Sequence, residues 1–73
     1  MMPYDDAVAV QRRHEARIMA LPGVTGIGVK LRGDDLVLEV TVDPDAPVPA
    51  ELAGVDQLDG LALVVGHRRY DAQ

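Results

Sequence analysis

Few side chains in this 73-residue chain could do chemistry. There are two imidazoles, His14 and His67, one Lys, Lys30, and hydroxyls only on Thr25, Thr41, Tyr4 and Tyr70; Ser, Cys and Asn are absent. Nucleophilic catalysis draws on Ser, Cys or an activated Lys beside a base, and neither His stands near such a group in the sequence. The expectation is a protein that is not an enzyme. His14 is the residue with most chemical potential, flanked by Arg13 and Glu15. A lone His on an apolar stripe is expected to be partly buried, with one ring nitrogen satisfied. Two imidazoles fall short of the three or four ligands of a zinc site. Asp34, Asp35, Asp43 and Asp45 fall into two turns at opposite ends of a strand, so they read as solvated carboxylates, not as a converging cation site. Gly23, Gly26 and Gly28 do not fit the G-x-G-x-x-G spacing, and a strand follows them instead of a helix that could hold a phosphate. No metal and no cofactor is expected.

Positioning these residues falls to one helix and an alternating hairpin. Residues 5–20 read as the helix, with Ala7, Val10, His14, Ile18 and Leu21 recurring at spacings of three and four. Asp5 or Asp6 is expected to cap its start, Arg12, Arg13 and Arg17 suit its negative end, and Pro22-Gly23 stop it. Residues 21–42 then alternate: Thr25, Ile27, Val29 and Leu31 against Val24, Gly26, Gly28 and Lys30, and after a Gly33-Asp34 turn, Leu36, Leu38, Val40 and Val42 against Val37, Glu39 and Thr41. Glycine within a strand often marks close approach by another element, so the helix is expected to lie over Gly26 and Gly28, ahead of a ligand. Pro44, Pro47 and Pro49 make residues 43–56 an ordered loop with at most a short turn. Asp59-Gly60 is another turn, and residues 61–65 read as a third strand, central or buried on both faces. An Arg-containing tail, 67–73, follows, of which Tyr70 is expected to pack.

Seventy-three residues make one domain near the lower limit for a self-sufficient core, without a Cys to staple it. The core must be aliphatic, since Phe and Trp are absent. A net charge of −5 argues against nucleic acid, whose phosphates need a basic surface. No basic leader precedes an apolar run, and the longest such run, 61–65, is too short to span a bilayer. No membrane association is expected, and a cytoplasmic location is the default.

The run Leu21-Pro22-Gly23-Val24-Thr25-Gly26-Ile27-Gly28-Val29, followed by Val40-Thr41-Val42-Asp43, Val48-Pro49-Ala50-Glu51-Leu52, Leu58-Asp59-Gly60-Leu61 and Val64-Val65-Gly66, resembles a segment ahead of the trypsin-like domain in some bacterial proteins. The resemblance implies a free-standing accessory module; the catalytic residues of those proteins lie downstream of the segment, so it assigns none here. Residues 21–46 are also similar to part of the ferredoxin-like heavy-metal-associated domains, without their Cys-x-x-Cys loop, so metal carriage is not implied.

These readings converge on an α+β two-layer sandwich, α-β-β-turn-β, with helix 7–20 covering one face of a mainly antiparallel three-stranded sheet. The expected core is Val10, Ile18, Leu21, Ile27, Val29, Leu31, Leu36, Leu38, Val40, Val42, Leu61, Leu63 and Val65. Val24, Val37 and Val64 fall on the other face. With Gly26, Gly28 and His14 they make the expected interaction surface. The expected function is a non-catalytic protein- or peptide-binding module, working by edge-strand addition or as a homodimer through the sheet. A small-molecule or ion sensor is the alternative.

Overall fold

The computed structural model describes residues 2–67. Helix α1 spans Tyr4–Met19. It starts on Pro3, whose carbonyl accepts hydrogen bonds from the Asp6 and Ala7 amides at 3.1 Å each. No side chain caps this end, so the expected cap by Asp5 or Asp6 does not form. Both lie inside the first turn, where their charge still complements the positive helix end. At the other end Gly23 turns the chain at φ 84°. A Cβ there would lie 2.7 Å from the Ala46 side chain, and the Gly23 carbonyl accepts the Asp43 amide at 2.8 Å. Glycine is therefore required both by conformation and by space.

Strand β1, Val24–Arg32, and strand β2, Asp35–Val42, form the expected hairpin. Its two-residue turn opens with Gly33 at φ 62°, the glycine-first pattern of a type II′ turn. A short strand β3, Gln57–Leu58, pairs with β4, Leu61–His67, through Asp59-Gly60. Both turn residues have positive φ, 50° and 84°, as a type I′ turn demands. Strand β4 then joins β2 in parallel, Val37 opposite Ala62 through Val42 opposite His67. The sheet thus has four strands in the order β1-β2-β4-β3, and its central pair is parallel. The stretch between β2 and β3 is long enough to act as the crossover a parallel pair needs. His67, assigned to the tail from sequence, ends β4; the rest of the expected tail, with Tyr70, lies outside the described residues.

The core lies between α1 and one face of the sheet. Ala7, Val10 and Ile18 pack with Leu38, Val40, Leu61 and Leu63. The crossover contributes Leu52, 3% exposed, from the turn that Pro49 initiates by accepting the Leu52 and Ala53 amides. Ile27 and Val29 join this cluster, and they share a face with their partners Val40 and Leu38. The helix therefore covers the Ile27 row, and the expectation that it lies over Gly26 and Gly28 is overturned. Leu31, expected in the core, is 70% exposed. It pairs with Leu36 near the hairpin tip, whereas β4 reaches β2 only from Val37 onward, so no neighbouring strand flanks that end. β4 is internal to the sheet as expected but buried on one face only: Leu61 and Leu63 are covered and Ala62 is exposed.

Candidate functional site

The second face of the sheet carries no layer of the described structure. Its rows follow from the strand register. Gly26, Thr41 and Gly66 lie side by side; next come Gly28, Glu39 and Val64; then Lys30, Val37 and Ala62. Glycines flank Thr41 on both sides, and in the third row Lys30 is exposed while Val37 is buried. The hollow measures about 250 Å³ and is lined by Gly26, Ile27, Gly28, Lys30, Glu39 and Thr41. A Cβ on Gly28 would meet nothing within 4 Å, whereas one on Gly66 would lie 3.9 Å from Glu39 Oε2. At Gly28 the floor is therefore open space, not a packing compromise. Thr41 is 1% exposed and its hydroxyl accepts a hydrogen bond from Thr25 Oγ1 at 3.1 Å. That contact depends on a register shift between Val24 and Gly26, a bulge centred on Thr25.

The bulge also corrects one expected site residue. It reverses the alternation at Val24, which pairs with Val42 and packs against the core instead of facing outward. Gly26, Gly28, Val37 and Val64 do share the second face, but Val37, expected on an interaction surface, is buried between its strand neighbours. Lys30, Glu39 and Thr41 belong there too; they were legible as its alternation partners but carried no functional signal of their own.

His14 lies elsewhere, in a cluster between α1 and the β3–β4 turn. Its Nε2 stands 2.8 Å from Asp59 Oδ2 and its Nδ1 2.8 Å from Arg17 Nη2, while Arg13 Nη1 donates to the same Asp59 oxygen at 2.6 Å. A guanidinium cannot accept a hydrogen bond, so Nδ1 is the acceptor and the imidazole proton sits on Nε2, directed at Asp59. Both ring nitrogens are engaged, one more than the sequence suggested, and neither remains for a substrate or metal. The His14 and Arg13 hydrogen bonds hold the Asp59 carboxyl below its ordinary value of 3.8. From sequence Asp59 was only a turn residue. Its partners lie 45 and 46 positions away, beyond the reach of any local pattern.

A larger hollow, about 530 Å³, runs along Tyr4, Asp5, Val8, Ala9 and Arg12. One helix alone lines it, so no second element supplies an opposing wall. None of the helices is long and apolar enough to cross a membrane among the described residues. In comparisons with family models, curated proteins and solved structures, nothing matches this chain.

Proposed function

We propose that the chain is a non-catalytic protein-interaction module that binds through the open face of its sheet. One observation carries this reading: among the described residues no element packs over the second sheet face, where Gly26 and Gly28 floor a hollow beside Lys30, Glu39 and Thr41. A two-layer domain usually buries such a face against something. The face is favoured over strand addition at an edge. The edge strand β1 carries both a bulge and Lys30, devices that discourage edge pairing, and the opposite edge strand β3 has two residues. At about 250 Å³ the hollow is smaller than most small-molecule sites, roughly 300–1,000 Å³, which ranks the sensor reading second. The resemblance to a segment ahead of trypsin-like domains supports an accessory role of the same kind.

The test places a photo-crosslinking residue at Val64, on the open face, or at Arg12, on the exposed side of α1, and irradiates cells making each variant. Adducts of defined mass from position 64 and not from position 12 are expected, and they disappear when Gly28→Val fills the hollow. Equal adducts from both positions, or adducts that survive Gly28→Val, would overturn the reading.

A further inference from the structure

We propose that His14 and Arg17, with Arg13 beside them, form a proton-gated site for a dianionic oxyanion of the sulfate or phosphate-monoester type. The site lies between α1 and the β3–β4 turn, and it does not depend on the interaction-module reading of the sheet face. Arg13 and Arg17 are four positions apart and His14 is three before Arg17, so the three project from one side of the helix. Arg13 and His14 both meet Asp59 Oδ2, at 2.6 and 2.8 Å, and Arg17 Nη2 stands 2.8 Å from His14 Nδ1. Among the described residues no carboxylate lies within ion-pair distance of Arg17. Its side chain is exposed and donates one N–H to a neutral nitrogen, and the rest of its donors have no protein partner there.

A proton and Arg17 compete for the same lone pair. In the neutral ring Nδ1 accepts from Arg17 and offers no donor on that side. A proton on Nδ1 turns it into a donor, and two donors 2.8 Å apart do not satisfy each other. They are placed instead to hold one oxyanion between them by charge-assisted hydrogen bonds, with the guanidinium fork suited to two of its oxygens. Nε2 keeps its proton on Asp59 throughout, so the ring holds its orientation in both states. The protonated cluster sets three cations, Arg13, His14 and Arg17, against the single carboxylate of Asp59. The excess is two positive charges, which a dianion cancels and a monoanion does not.

The other charged groups around α1 leave this balance intact. Lys30, Arg32, Asp35 and Glu39 alternate onto the sheet face away from the helix. His67 ends β4, about 20 Å along the strand from Leu61. Glu15 accepts from Gln11, and Asp5 and Asp6 lie about 10 Å or more along the axis from Arg13. Among the described residues none of the crossover carboxylates, Asp43, Asp45, Glu51 and Asp56, pairs with the cluster. The net charge of −5 acts at longer range and is screened beyond about 10 Å at 0.1 M salt.

NMR of the full chain titrated with sodium sulfate tests the site, with sodium chloride at matched ionic strength as the blank. The titration is run at about pH 8 and about pH 5.5, within the span over which an ordinary imidazole changes charge. Sulfate stays a dianion at both, so a pH dependence belongs to the protein. The His14 and Arg17 signals are expected to saturate at roughly tenfold lower sulfate at the acid pH, because the proton adds one charge-assisted hydrogen bond. Arg17→Ala should abolish the saturable response. His14→Gln, which takes up no proton, should remove the pH dependence. Arg12→Ala deletes a charge from the same helix outside the cluster and should leave the affinity unchanged. Equal affinity at the two pH values overturns the inference, as does an Arg17→Ala protein that still saturates or an Arg12→Ala protein that loses as much. Phosphoserine, counted as its dianion, separates the sources. Saturation below the sulfate concentration assigns a phosphate monoester and saturation at or above it a free inorganic anion, and either outcome supports the site.

Discussion

Asp59 holds φ 50° in the two-residue turn between β3 and β4, and from there its carboxylate receives both Arg13 and His14. The turn geometry suits Asp followed by Gly, so the conformation that aims the carboxylate at α1 comes from local chemistry. Because the pairing lowers the Asp59 pKa, its contribution to stability is present above the unfolded value of 3.8 and is lost as pH falls through the lower folded value. Asp59→Asn should therefore lower the melting temperature slightly at neutral pH, and the difference from the parent should shrink as pH drops below 3.8. Thermal melts of both proteins across that window check it. Gly23 is constrained more severely. Ala at that position meets both a positive φ and a Cβ 2.7 Å from Ala46. Gly23→Ala should cost about 1–3 kcal/mol in a urea titration. Gly28→Val meets neither obstacle and adds a residue suited to strands, so its stability should match or exceed the parent's.

At the scale of elements, the crossover between β2 and β3 is part of the core and the hairpin tip is not. Leu52 is 3% exposed although it sits in a loop that no periodic pattern marks. Leu31 is 70% exposed although it continues the apolar row of β1. Leu52→Ala should thus cost about 2–4 kcal/mol, the range for emptying a packed leucine site. Leu31→Ala should change stability by no more than about 0.5 kcal/mol, as for most surface substitutions. Chemical denaturation of the two variants side by side checks the contrast; equal losses would mean that the hairpin tip is supported by contacts other than those described.

For the molecule as a whole, one helix and one crossover cover one face of a four-stranded sheet, and among the described residues no element packs over the other. A chain of this size has little surplus core, and covering the second face by association is one route to more burial.

The sequence by itself determined the elements. Local turn chemistry at Pro22-Gly23, Gly33-Asp34 and Asp59-Gly60 set where the chain reverses, and the periods of apolar residues set α1, β1, β2 and β4. The same alternation identified Gly26, Gly28, Val37 and Val64 as one face. Only the tertiary structure decided the rest. A one-residue bulge moved Val24 to the core, because alternation counts positions and a bulge inserts one without a local marker. The choice of the Ile27 row as the helix-bearing face depended on where apolar area could be buried, not on where glycine permits approach. Whether β4 joins β2 or β1, and in which direction, depends on contacts about 25 residues apart, and Asp59 meets His14 across 45 positions. Such pairings are settled by the balance of burial and loop closure over the whole chain, and no stretch of a dozen residues carries that balance.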